Sequence, residues 1–327
     1  MALVVRVCVV LVVTMTVLLV ASQAQAQLTV GFYSETCPDA ESIISRTVRD
    51  AALSSNSNVP AILLRLHFHD CFGCDGSILI DGGRNVERRA VGHQGVGGFD
   101  VIERAKFQLE KFCPGIVSCA DIVALAARDS IVLTNGPFYE VPTGRRDGRA
   151  SNVSMADDMP SVTDSIQQLK AKFLSKGLSE KDLVLLSAAH TIGTTACFFM
   201  SHRLYNFLPG AQADPSINPE FLSELQFRCP KNGNVNVRLA IDEGSELTFD
   251  DQILRNIRNG FAVLESDARL YDDEDTRSII NSYFGFLAPI FGPSFEDDFV
   301  ESIIKMGQIG VKTVSQGEIR RVCRAFN

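Results

Sequence analysis

Beyond its first 26 residues the chain has no apolar run long enough to cross a membrane, no internal repeat, no low-complexity linker and few strand patterns. The first absence excludes a multi-spanning membrane protein, because a spanning helix takes about 20 apolar residues. The missing repeat excludes a solenoid. The missing linker points to one domain, and the scarcity of alternating apolar residues to a mainly α fold. Basic residues are also in the minority, 31 Lys and Arg against 39 Asp and Glu, for a formal charge of −8. That excess of acid argues against nucleic acid or an anionic membrane as partner and for a diffusing enzyme or small-molecule binder, which is expected to be a monomer.

Of the 327 residues 46% are hydrophobic, enough for a large core and too many for a disordered chain. Residues 1–26 read as a secretory signal: Arg6 is the charged start, Val7 to Ala21 the apolar stretch, and Ala24-Gln25-Ala26 a cleavage site that leaves 27–327 as the mature domain. An uncleaved anchor would need a longer apolar stretch. Nine cysteines are present and Cys8 departs with the signal, so the mature chain carries an even number into an oxidising compartment, where disulfides form. Spacing cannot choose among roughly a hundred possible pairings. Apolar residues recur at helical period near 38–54, 59–71, 99–112, 117–133, 162–175, 180–189, 194–207, 217–228, 250–260, 273–283 and 295–307. Ser179, followed by Glu180, Lys181 and Asp182, forms a capping box, so a helix should start there, end near His190 and break at Gly193. Gly82 to Gly98 and Leu208 to Pro215 read as loops.

Chemistry concentrates in AILLRLHFHDCFGCDGS, residues 61–77. On a helix Arg65, Phe68 and His69 fall at i, i+3 and i+4 and share a face, while His67 points elsewhere. One reading is an ordinary buried helix, but a buried arginine and histidine each then need a partner. A second takes His67, His69, Cys71 and Cys74 as a zinc site, which a secretory compartment disfavours because its thiols oxidise.

The third reading is a resemblance. Arg65-Leu-His-Phe-His-Asp-Cys71 resembles the distal-helix motif of the secreted plant haem peroxidases (class III), and the likeness continues through FYSETCP at 32–38, PGIVSCADIVALAARDS at 114–130, VPTGRRDGR at 141–149, AAHTIGTTAC at 188–197, RLYNF at 203–207, ESDARL at 265–270 and GEIRRVC at 317–323. The resemblance implies a helical domain whose two halves enclose haem b, with hydrogen peroxide reduced at the expense of small phenolic donors. It makes His190 the axial ligand, with Asp267 accepting the N–H of its ring. His69 becomes the acid and base that moves the peroxide proton, Arg65 the stabiliser of developing negative charge, Phe68 a wall, and Pro160 part of the donor entrance. It also implies disulfides Cys37–Cys113, Cys71–Cys74, Cys119–Cys323 and Cys197–Cys229. Two calcium sites follow by the same likeness: a proximal one from Thr191, Asp242, Ser245, the Thr248 carbonyl and Asp250, and a distal one from Asp70, Gly73, Asp75, Ser77 and Glu87.

The chain departs from the family at the distal side. Where the family reads D-C-F-V-N-G-C-D, residues 70–75 read D-C-F-G-C-D, so two residues and a calcium-binding carbonyl are missing. His93 stands where an asparagine usually bonds the distal histidine, and Gly97 replaces an arginine. The expectations are a filled proximal calcium site, a weakened distal one, and, as the alternative to a working peroxidase, a haem protein of the same fold with reduced turnover. Secretion to the cell wall is expected, with the vacuole as the other destination, and Asn152-Val-Ser154 is a glycosylation acceptor.

Overall fold

Helical periodicity becomes helix in most of the segments that carry it in the computed structural model, which describes residues 28–54, 58–210, 212–286 and 292–327. The signal read at 1–26 lies outside the described residues. The first half is built on α1 (Ala40–Ser54), α2 (Val59–Asp70), α3 (Phe99–Phe112) and α4 (Cys119–Leu133). α4 is buried on nearly every face, from Cys119 through Ile131, and α1, α2 and α3 all lie against it. It starts where the Ser118 hydroxyl accepts the Asp121 N–H, which satisfies a donor the helix itself cannot.

The second half holds α5 (Ile166–Ser175), α6 (Glu180–Ser187), α7 (Ser201–Tyr205), α8 (Pro219–Arg228), α9 (Gln252–Arg258), α10 (Glu265–Arg269), α11 (Glu274–Ser282) and α12 (Phe295–Met306). α6 packs against α12, α11 and α5. One apolar core runs through both halves, from Ile44 on α1 to Ile303 on α12. A smaller cluster of Met200, Leu204, Phe221, Leu225, Leu239 and Val263 fills the region of α7 and α8. The mainly α architecture is as expected.

Two local expectations need correction. The segment 194–207 is not one helix: β1 (Thr194–Ala196) pairs antiparallel with β2 (Arg238–Ala240), Ala196 opposite Arg238, before a 3₁₀ turn at Cys197–Phe199 and α7. Its apolar spacing fits a helix, but Thr194 and Thr195 are β-branched and a partner strand is available, a contact that periodicity does not register. The helix with the Ser179 cap also stops early. Both halves of the capping box form, but the chain tightens after Ser187 into a 3₁₀ turn, Ala188–Thr191, that carries His190.

All four disulfides join as the resemblance implied: Cys37–Cys113, Cys71–Cys74, Cys119–Cys323 and Cys197–Cys229. The VPTGRRDGR run is a structural hub. Buried Arg145 binds Asp121 at 2.8 Å and the Gly307 carbonyl, and Asp147 accepts the N–H groups of Ala120 and Arg320. At Gly148 a Cβ would run into the Asp75 carboxylate, so any side chain there has to displace it.

Candidate active site

Helix α2 presents two different faces. Pro60 occupies its first turn, where a missing N–H costs nothing, and Leu63, Leu64 and Leu66 are buried. His67 is buried with them, its ring 3.4 Å from Cys71 Sγ, and burial together with Arg145 pushes its pKa down to about 3. It is a neutral core ring. The zinc reading fails on this geometry, because Cys71 and Cys74 are joined to each other while His67 and His69 bond to different partners.

The other face carries Arg65, Phe68 and His69. Arg65 Nη2 donates to the Gln94 carbonyl at 3.0 Å, and burial followed by the charge of Arg238 lowers its pKa to about 10, which still leaves it charged at neutral pH. Phe68 packs on Phe72 and Phe173, with ring centroids 5.4 and 6.3 Å away, and meets the His69 ring edge-on. His69 Nδ1 lies 2.9 Å from His93 Nδ1, and His93 Nε2 lies 3.3 Å from Glu87 Oε1. A carboxylate only accepts, and the network is assigned with His93 Nε2–H donating to Glu87, His93 Nδ1 accepting and His69 Nδ1–H donating. The lone pair of His69 is therefore left on Nε2. Burial, then Arg65, His93 and His190, hold its pKa well below the ordinary value, so the ring is neutral.

His190 comes from the 3₁₀ turn after α6. Its Nδ1 lies 3.0 Å from both carboxylate oxygens of Asp267, a residue of α10 that is almost wholly buried. Burial works against charge on this ring, and Asp267 outweighs it, so the pKa lies above the ordinary value. The side chain is 38% exposed although atoms surround it as densely as a core residue, so it opens onto an internal cleft. Arg65 and His69 stand within electrostatic reach of it. Half-buried Pro160 precedes Val162, whose carbonyl accepts the Ser266 N–H and so ties that loop to the Asp267 helix.

The oxygen atoms expected at the proximal site converge. The Thr191 hydroxyl lies 3.1 Å from Asp242 Oδ2, 3.4 Å from the Thr248 carbonyl and 3.3 Å from Asp250 Oδ1, and Ser245 Oγ meets Asp250 Oδ2. Burial raises the Asp242 pKa to about 7 against the hydrogen bonds of Asn256 and Thr191. An all-oxygen cluster that leaves a buried carboxyl hard to ionise fits a hard cation. The distal set is looser. Asp70, Asp75, Ser77 and Glu87 are all buried, and Asp70 Oδ1 and Glu87 Oε2 have no hydrogen-bond partner among the described residues. Burial, then the charges of Asp75 and Glu87, raise the Asp70 pKa well above its usual range. Such orphaned acceptors suit a cation, yet among the described residues no three carboxylate, imidazole or thiol groups converge on one metal position. The Gly73 carbonyl lies close to Gly310.

Sequence reading missed Asn256, which donates to Asp242 at 2.6 Å, and Arg238, whose field reaches Arg65. Both act through contacts distant in sequence, and neither stands in a motif that could have flagged it. Gly97, in the place of an arginine, lies against Ile62 of α2.

Comparison with known proteins agrees with this geometry. The family model described as Peroxidase matches residues 44–285. The chain is similar to Peroxidase 43 of Arabidopsis thaliana, 67% identical over 92% of this chain and 93% of that protein. It is 58% identical to Peroxidase 13 of the same plant over 92% and 93% of the two chains, and 51% identical to Peroxidase N1 of Nicotiana tabacum over 91% and 90%. With an imidazole and its carboxylate on one side of a cleft, and an arginine and a neutral imidazole on the other, the chain belongs to the peroxidase family, in its secretory plant branch.

Proposed function

We propose that this peroxidase reduces hydrogen peroxide and oxidises small phenolic donors one electron at a time, with His69 as acid and base, Arg65 as charge stabiliser and His190 as axial ligand of haem b. The supporting observation is the pair of imidazoles, each held through Nδ1 by a different partner. His190 Nδ1 is held by Asp267, which leaves Nε2 free for iron, while His69 Nδ1 is held by His93, which leaves Nε2 free for a proton.

Bound haem supplies the iron that peroxide oxidises and that donors then reduce. The protein's own part is positional and electrostatic. Asp267 fixes the His190 tautomer and strengthens the ring as a ligand. Neutral His69 takes a proton from peroxide at Nε2 and returns it to the departing oxygen, and the permanent charge of Arg65 stabilises the negative charge that develops there. Phe68 excludes water from that face, and Pro160 lines the way in for the donor. Thr191, Asp242, Ser245, Thr248 and Asp250 would hold the proximal calcium and so brace the turn next to His190. Residues 27–327 act as one domain in a monomer, secreted to the cell wall or routed to the vacuole, with a glycan on exposed Asn152.

A second reading, a haem protein with reduced turnover, draws on the unpartnered Asp70 Oδ1 immediately after His69 and on the short Cys71–Cys74 loop. The two are separated on purified protein. A Soret band with peroxide-dependent oxidation of guaiacol supports the first, the band without turnover supports the second, and absence of the band refutes both.

A further inference from the structure

Among the described residues the guanidinium groups of Arg65 and Arg238 lack a carboxylate partner. Arg238, at the start of β2, folds over β1: its Nη2 donates to the Thr194 carbonyl and hydroxyl at 2.6 and 2.9 Å, and its Nε to the same hydroxyl at 3.0 Å. Thr194 follows His190 by four residues, so these bonds fix Arg238 at the exposed edge of the wall that carries the axial imidazole. Arg65 stands near enough for its guanidinium to feel the charge of Arg238. The two repel. Among the described residues neither has a carboxylate within ion-pair distance: Arg65 donates to the Gln94 carbonyl, Arg238 only to Thr194, and Arg238 Nη1 has no acceptor. A planar fork held rigidly by its Nε edge, with donors to spare and a second cation nearby, is built to receive a carboxylate.

We propose that Arg238 is a carboxylate-binding residue at the rim of the haem cleft and that the carboxylate it takes is a propionate of the haem. The inference rests on haem occupying that cleft. A cofactor that carries its own carboxylates explains why no described residue supplies one to Arg238. It also explains why Arg238 is anchored to the strand beside the axial ligand, since a propionate stands at a fixed distance from the iron. A donor's carboxylate would share the chemistry but not the need for a fixed rim, and the test separates the two.

The test is haem release into excess apomyoglobin, followed by the Soret shift, for wild type, Arg238→Gln and Arg238→Lys. Each protein is loaded in turn with haem and with haem dimethyl ester, which lacks the charged propionates. Arg238→Gln should release haem about 10- to 100-fold faster, the effect of losing a charge-assisted bond. It should release the ester at the wild-type rate, which also shows that the cleft is intact. Arg238→Lys should fall between, retaining the charge but not the fork. Haem release unchanged in Arg238→Gln overturns the proposal. So does a result in which haem release is unchanged and the preference for ferulate over methyl ferulate in KM disappears, because the carboxylate then belongs to the donor. If the Gln variant does not fold, an Arg238→Lys protein with the wild-type release rate for both ligands overturns it equally. A wild-type protein that takes up neither haem nor its ester refutes the haem reading itself.

Discussion

Replacing His93 by leucine removes the acceptor that sets the tautomer of His69. The contact is short, 2.9 Å between the two Nδ1 atoms, and both rings are buried at 8% exposure or less. A leucine of similar bulk leaves the His69 Nδ1–H without a partner and without water, at a cost of about 1 to 3 kcal/mol. The ring can relieve this by moving its proton to Nε2, which puts the lone pair on the side away from the cleft. The fraction of correctly set His69 then falls by the same free energy, which corresponds to a rate about 5- to 150-fold lower at roughly 1.4 kcal/mol per factor of ten. The loss is bounded above by removal of the imidazole itself, roughly 10² to 10⁴. Rapid mixing of the haem-loaded protein with excess peroxide, followed at the Soret band, measures the step directly, and ¹⁵N shifts of the His69 ring report the tautomer independently. His93→Asn should recover most of the rate, because an amide oxygen can accept the same N–H. A His93→Leu rate within about twofold of wild type, or an asparagine no better than leucine, would refute the reasoning.

Loss of Arg65 should move the pH dependence of the same step: the rate needs neutral His69 and falls as pH drops through its depressed pKa, so Arg65→Leu should shift that acid limb upward. The limb should remain below the ordinary histidine value because burial, the larger cause, persists. His190→Ala should abolish haem retention, measured as the Soret to protein absorbance ratio, whereas His69→Ala should retain haem and lose only the rate of peroxide cleavage. Inserting Val-Asn between Phe72 and Gly73 should raise calcium content by metal analysis together with that rate, because it returns a carbonyl to a site where Asp70 Oδ1 and Glu87 Oε2 lack partners. Two tightly held calcium ions in the native chain would overturn that expectation. Asp242→Asn should lower the calcium content of the proximal site, with chelated wild type as the reference, since Asp242 touches the Thr191 hydroxyl on which that site converges.

Local signals in the sequence located most helices. The apolar run from Leu63 to Leu66 marked the buried face of α2, and Ser179 with Asp182 marked the start of α6 through bonds that involve only neighbouring residues. Where structure depends on distant partners the reading faltered. Nothing in residues 194–207 announces that Ala196 will lie opposite Arg238, so the strand and the arginine it positions are legible only in the folded chain. The convergence of Thr191, Asp242 and Asp250 was likewise available only through the family resemblance, because ligands so far apart have no shared period. His93 was legible as a departure, but its link to Glu87 was not.

The bond between Cys119 and Cys323 spans 204 residues, and Arg320, fully buried, donates to the carbonyls of Gly76, Gly148 and Cys323. Asp147 needs the Arg320 N–H for one of its two oxygens. The floor behind the helix of His69 is thus closed by a segment that follows α12 and reaches back to the first half of the fold. A nascent chain that has emerged only as far as α12 holds an unpaired thiol at Cys119 and an unfilled channel where Arg320 will lie. Closure of the distal wall is therefore a late, long-range step of folding, and until it is made Cys119 keeps a free thiol.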